Sequence, residues 1–167
     1  MNRRHFVLGA GLTFSAIPAS ASPLQETLSL DGTTFRNWHR KDRLFSTFSA
    51  PTKGWLAVGF NNQERLEGTR FVMGAVVGSS FRAEERIALV PNHRRIQDLG
   101  LAPAVEHVSG HTSENTTTMQ FSMPHVLADS DNPTLSSGKR SYVMLAWSHD
   151  TDFEHHSAWR RHFLMEL

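Results

Sequence analysis

Cysteine is missing from this sequence altogether, and tyrosine occurs once. Without a thiol there is no disulfide, no iron–sulfur cluster, no zinc–thiolate site, no covalent CxxCH haem attachment and no thiol nucleophile. A metal would have to be held by His, Met, Asp or Glu. Neither sign of charge is in excess, with 17 Lys and Arg against 16 Asp and Glu. A chain that binds nucleic acid normally carries a clear basic surplus, so that class is set aside. The Gly-x-Ser-x-Gly elbow and the phosphate-binding Gly-rich loop are absent, and the carboxylates are scattered, which argues against an enzyme. Long apolar runs are lacking too, so nothing after the first twenty-odd residues reads as a membrane span. What remains is a chain of 167 residues, 39% hydrophobic and 20% charged, enough for one domain with a sizeable core.

The first residues read as an address. Arg3-Arg4 is followed by an apolar stretch from Phe6 to Ile17 and then by Pro18-Ala19-Ser20-Ala21. A basic start, a short apolar run and an Ala-x-Ala site describe a signal peptide over residues 1–21. The arginine pair, with Phe6 one residue further on, matches a twin-arginine signal, and an ordinary secretory signal is the alternative. Cleavage would remove two of the 17 basic side chains and none of the acidic ones. The expected product is a single periplasmic domain, residues 22–167.

That domain reads as strands. No stretch holds a 3.6-residue apolar period with caps; short apolar, β-branched or aromatic runs recur between turn residues instead. They fall at 34–39, 44–49, 55–61, 71–78, 81–89, 105–111, 116–122, 142–148 and 159–167. About nine short strands predict an all-β antiparallel sandwich. The run 55–60 is almost wholly apolar, which predicts a central strand covered on both faces, with Trp55 as a core anchor of the sandwich. Residues 92–104, confined by Pro91 and Pro103, have room for one helical turn. Residues 129–133 and 136–139 are loop material. Gly59, Gly74 and Gly78 within strand patterns mark a bulge or a close approach, either by a neighbouring strand or by a flat ligand.

Three features then stand in order: Gly54-Trp55-Leu56-Ala57-Val58-Gly59-Phe60; Phe71-Val72-Met73-Gly74-Ala75; and Leu145-Ala146-Trp147, followed by an acidic loop, His155-His156 and Arg160-Arg161. With the Thr-rich run at 116–122, this order resembles the DOMON domain family over roughly residues 33–167. Met123-Pro124-His125 departs from the family's Arg-Pro-Leu. The resemblance implies an immunoglobulin-like sandwich that binds haem b, similar to the cytochrome domain of cellobiose dehydrogenase. It implies Met73 and His156 as axial ligands, with His155 as the alternative. Arg160, four residues after His156, favours His156, while Arg161 stands where the family often has Gly. Around such a haem, Arg160, Arg161 and Arg70 are expected at the propionates. Trp159, Phe71 or Trp147 is expected to stack on the ring, and the glycines beside Met73 to let it approach the backbone. Met/His ligation suits electron transfer to or from a redox partner protein or a membrane electron-transport component, or redox sensing.

Plainer readings stand beside these. A lone methionine is usually core filler, the role expected of Met119, Met144 and Met165. His39, His93, His107, His111 and His125 read by default as surface residues, and residues 82–86 as a solvent-facing run of paired charges. His149, Asp152, His155 and His156 offer a second class of function, a copper or zinc site. A carbohydrate-binding module without haem is a third, with Trp38 and Trp159 as its exposed aromatics. Substituting Arg3→Lys together with Arg4→Lys is expected to block export; normal export of that variant, checked by fractionation, would point to the general secretory route.

Overall fold

The computed structural model describes residues 26–127 and 133–167. The expected signal peptide and most of the 129–133 loop lie outside the described residues. Eleven strands form two antiparallel sheets. They are β1 (Glu26–Leu30), β2 (Thr33–Arg40), β3 (Arg43–Ala50), β4 (Leu56–Asn61), β5 (Arg70–Val77), β6 (Ser80–Leu89), β7 (Asn92–Arg95), β8 (Glu106–Ser113), β9 (Thr116–Pro124), β10 (Arg140–Trp147) and β11 (Trp159–Glu166). One sheet has the order β1-β2-β3-β9-β8, the other β11-β10-β4-β5-β6-β7. Among the described residues no helix is long and apolar enough to cross a membrane.

All nine expected strands are present, and the β-sandwich holds. The two additions are edge strands. β7 reads Asn-His-Arg-Arg and has no apolar residue, so periodicity could not reveal it; its pairing with β6 makes it a strand. The helical turn expected at 92–104 is a 3₁₀ turn, Ile96–Leu99, which buries Ile96 and ends at Gly100 with φ 74°.

Side chains alternate along each strand. In β4, Leu56, Val58 and Phe60 enter the core between the sheets, as do Val72 of β5 and Val143 and Leu145 of β10. Phe35, Leu44, Phe48, Met119 and Phe121 meet them from the five-stranded sheet. Every residue of β4 is buried, so this strand is covered on both faces as its composition required. The outer cover is a second apolar cluster of Trp55, Ala57, Phe71, Met73, Ala75, Ala88, Met144, Ala146 and Phe153. Trp55 is therefore buried on the outer face, not in the sandwich core, and Met144 belongs to the same outer cluster, unlike Met119 and Met165.

The run 82–86 is not a solvent-facing strip. Glu85 points inward, where its side chain is fully buried against the equally buried Arg70 guanidinium. Its second oxygen accepts from the backbone N–H of Ala104 (2.6 Å) and Val105 (3.1 Å). The pair ties β5 and β6 to the chain entering β8. Breaking a buried pair leaves a desolvated charge behind. Arg70→Ala is expected to lower unfolding stability in urea by about 3–5 kcal/mol. Arg70→Met with Glu85→Gln is expected to lose clearly less, and equal losses would show that the charge pairing is immaterial.

Candidate functional site

The six-stranded sheet turns a row of small side chains outward. In register across it stand Arg160 of β11, Ala146 of β10, Ala57 of β4, Met73 of β5 and Glu84 of β6. The next row is His162, Met144, Gly59, Phe71 and Arg86. Neighbouring strands lie about 4.8 Å apart, so two alanines beside Met73 leave a shallow apolar trough. A cleft opens above it, lined by Trp55, Ala57, Phe71, Met73, Ala88 and Met144 at the floor. Its walls carry Pro91, Asn92 and His93 on one side and Glu154, His155, His156, Ser157 and Arg160 on the other. The cleft encloses about 140 Å³ and is open to solvent at its mouth, so it is a shallow groove, smaller than the roughly 300–1,000 Å³ of a closed ligand pocket. The Met73 side chain is buried at its base, whereas His155 and His156 are exposed at its rim.

The histidines sit on the β10–β11 connection, residues 148–158, which is wired in place. Trp55 N–H donates to the Asp150 carbonyl (2.8 Å), and Ser148 N–H to the Trp55 carbonyl (3.0 Å). Ser148 Oγ donates to the His156 carbonyl (3.0 Å). The carboxylates of Asp150 and Asp152 accept from the N–H of Asp152 and Glu154 (2.8 and 3.0 Å). Between these turns Phe153 drops into the outer cluster, 1% exposed, with the Arg82 and Arg86 guanidiniums 4.6 and 5.7 Å from its ring centre. Arg86 also donates to Glu154 (2.6 Å), to Glu84 (2.7 and 2.9 Å) and to His93 Nδ1 (2.7 Å). The acidic loop is thus an anchored cover, not only a solvated face.

Strand parity sorts the residues singled out in the sequence. Met73, His155, His156, Arg160 and Phe71 share the cleft. Trp159 and Arg161 do not. Trp159 is paired with Trp147 and stacks on it (6.5 Å, 13°) against the sandwich core, and Arg161 lies over the Trp159 ring at 5.5 Å. Arg160 and Arg161, adjacent in a strand, face opposite sides. Arg70 is committed to Glu85 in the interior. Gly74 also points inward, where an added Cβ would lie 2.6 Å from Met119 Sδ, so its close approach serves the core. Gly59 does face outward, but a Cβ there would meet Thr69 Cγ2 (2.6 Å) and Phe71 Cβ (2.9 Å). Neighbouring strands at both positions and the facing sheet at Gly74, not a ligand, explain these two glycines, while Gly78 lies in the β5–β6 turn at φ 62°.

Two alternatives fare poorly. Among the described residues no group of three or more His, Cys, Asp or Glu is placed to hold a metal ion. His149 packs edge-on against Trp147 instead, at 5.0 Å. Trp38 stacks on Phe45 of the five-stranded sheet, while Trp159 lies on the other sheet, so the two offer no common aromatic face.

His93 is the cleft residue that sequence reasoning missed. It stands on β7, where no apolar alternation marks the strand, and packs edge-on against Phe71 at 5.6 Å. Burial first, and then Arg86, push its pKa below the usual 6.5, against the pull of Glu154 and Glu84. Burial also lowers His39, helped by His125, whose Nε2 lies 3.0 Å from His39 Nδ1. His162 is lowered by burial and then by Arg160. Neither His39 nor His93 is the fully solvated residue a default reading expects. For Glu84, burial alone would raise the carboxyl, but hydrogen bonds from Arg82 and Arg86 outweigh it and hold the pKa below 4.5.

The class defined by this architecture is a two-sheet antiparallel sandwich with a shallow cleft on the outer face of its larger sheet. Solved structures share the fold. The cytochrome b domain of pyranose dehydrogenase from Coprinopsis cinerea aligns with a TM-score of 0.61 at 12% identity, covering 87% of this chain and 88% of that one. The cytochrome domain of Myriococcum thermophilum cellobiose dehydrogenase aligns at 0.60 and 11% identity, covering 86% and 81%. No protein-family model matches the chain, and no curated protein does.

The lowered histidines carry a pH prediction. Each stays neutral in the fold at a pH where the unfolded chain already takes up a proton near 6.5, so stability is full above 6.5 and falls as pH drops below it. The melting temperature is expected to fall between pH 7 and 5, and less steeply with His39, His93 and His162 all changed to Gln. A flat or rising profile for the unaltered protein would contradict this.

Proposed function

We propose that this chain is a haem b-binding electron-transfer domain of the periplasm, with Met73 and His156 as axial ligands. The observation that carries the reading is the meeting of buried thioethers, Met73 and Met144, and an adjacent histidine pair in one cleft with an apolar floor; of the two, Met73 is the one the family resemblance puts forward. Two cytochrome domains of known structure share the fold. The residues suit the group chemically. A thioether and an imidazole are a known haem donor set that needs no cysteine, which this chain lacks. The alanines keep the floor low where a flat ring would lie, and Phe71 in the same lining would offer it an aromatic contact. Arg160, which makes no side-chain hydrogen bond or ion pair among the described residues, supplies a guanidinium for a carboxylate.

When bound, such a haem supplies one-electron chemistry between Fe(III) and Fe(II). The chain's own part is to hold both axial donors, exclude water from the floor and keep the ring in place. Two protein donors leave no open position for a substrate, which is why the reading is a carrier for a redox partner and not an enzyme. Met73 is fixed by the register of β5, while the histidines are fixed only by the loop wiring.

The test is the visible spectrum of the purified protein, as isolated and after dithionite. A low-spin b-type spectrum is expected. Met73→Ala is expected to shift it toward high-spin and lower the reduction potential, because a thioether favours Fe(II). His156→Ala is expected to lose haem while His155→Ala keeps it, and the reverse moves the ligand by one residue. A colourless protein that takes up no added haemin would sink the reading.

A further inference from the structure

Three histidines line the cleft, and a contact on one of them separates it from the others. The Arg86 side chain is only 6% exposed and donates through Nη1 to His93 Nδ1 at 2.7 Å. A guanidinium has five donors and no acceptor. His93 Nδ1 must therefore be the lone-pair nitrogen, and the proton of the neutral ring sits on Nε2. The partner is not free to move away, because the same guanidinium is held by Glu84 (2.7 and 2.9 Å) and Glu154 (2.6 Å), and the His93 ring is packed edge-on against Phe71. An imidazole that binds a metal through Nε2 carries its proton on Nδ1 and gives it to an acceptor. At His93 that proton would face a guanidinium N–H. No protein acceptor for the His93 Nε2–H is found among the described residues.

We infer that His93 is a hydrogen-bond donor that seats a carboxylate of the cleft's ligand through Nε2–H, and that it is not an iron ligand. The inference rests on the haem reading above, in which that carboxylate is a propionate. Arg86 acts one step back as a positioning residue. It holds the tautomer and neutralises Glu84 and Glu154, so that an anion can approach the wall on which they stand. The division of labour is chemical: among the described residues His155 and His156 have no guanidinium contact and can offer a lone pair, whereas His93 can offer only a proton.

The experiment compares the full chain with His93→Phe, which keeps the ring packed on Phe71 but has no donor, and with His93→Gln, which restores an N–H. Each is titrated with haemin and with haemin dimethyl ester, whose carboxylates are blocked. The unaltered protein is expected to prefer haemin. His93→Phe is expected to bind haemin roughly tenfold more weakly, the scale of one hydrogen bond to a charged group. It should lose most of the preference over the ester and keep the low-spin spectrum of the reduced form. His93→Gln is expected to recover part of both. An unchanged haemin affinity and preference in His93→Phe would overturn the inference. So would loss of the low-spin spectrum in that variant, which would make His93 a ligand. Failure of the unaltered protein to bind haemin overturns the haem reading itself, and is distinguished by needing no variant.

Discussion

The structure depends on a sheet that is apolar on both faces. Alternation along β4, β5 and β10 sends Leu56, Val58, Phe60, Val72, Val143 and Leu145 to one side, and Ala57, Phe71, Met73, Met144 and Ala146 to the other. Burying apolar surface drives folding at roughly 25 cal/mol per Å², so both faces need a cover. The five-stranded sheet covers the first completely. The second face receives only a short connection, residues 148–158, with Trp55 and Leu66 at its margins. A loop of that length cannot seal a trough floored by alanines. The cleft is what is left over, and its chemistry follows from which side chains the parity of the strands sends there.

Charge holds the partial cover down. Arg86 is nearly buried, yet it reaches both Glu84 beside it and Glu154 on the loop, and it lies over Phe153. Such a group is costly to desolvate alone and is stable only with its hydrogen bonds complete. The hub therefore couples three things that a purely apolar cover would leave independent: the seat of Phe153, the position of the residues that precede His155, and the tautomer of His93. Glu85 and Arg70, one residue and one strand away, do the corresponding work on the inner face. Two adjacent glutamates in β6 thus serve opposite sides of one sheet.

The fold was legible because short runs with two-residue alternation are a backbone signal. All nine expected strands lie where their apolar residues placed them. β7 escaped because backbone pairing at an edge needs no apolar side chain, and His93 escaped with it. The cleft residues Met73, His155, His156, Arg160 and Phe71 were singled out by order along the chain, and the structure brings them together. Trp159 and Arg161 were chosen by nearness in sequence, and nearness fails in a strand, where adjacent side chains diverge. Arg70 failed for a different reason: its partner Glu85 lies 15 residues on, in a run whose alternating burial only the sandwich reveals. Trp55 had the right burial and the wrong face, because an apolar run covered on both sides gives no sign of which cover each residue meets.

Electron transfer asks a site to change little as charge moves, so the rigidity of the two proposed donors bears on the reading. Met73 has no freedom of placement, since β5 is paired on both sides and the thioether is enclosed. The histidine side rests on a loop whose rigidity is made by hydrogen bonds, each worth about 1 kcal/mol net, and by one buried phenyl ring. Any mobility in such a site would therefore belong to the imidazole side. That is also the side that borders the open mouth by which a flat ligand would enter, because β4 and β5 close the floor. On the proposed reading, the wiring of residues 148–158 would have two duties that oppose each other: to hold an imidazole against a bound ring and to yield when the ring is loaded. A cover tied by a few polar contacts and one aromatic anchor, instead of a third packed layer, satisfies both.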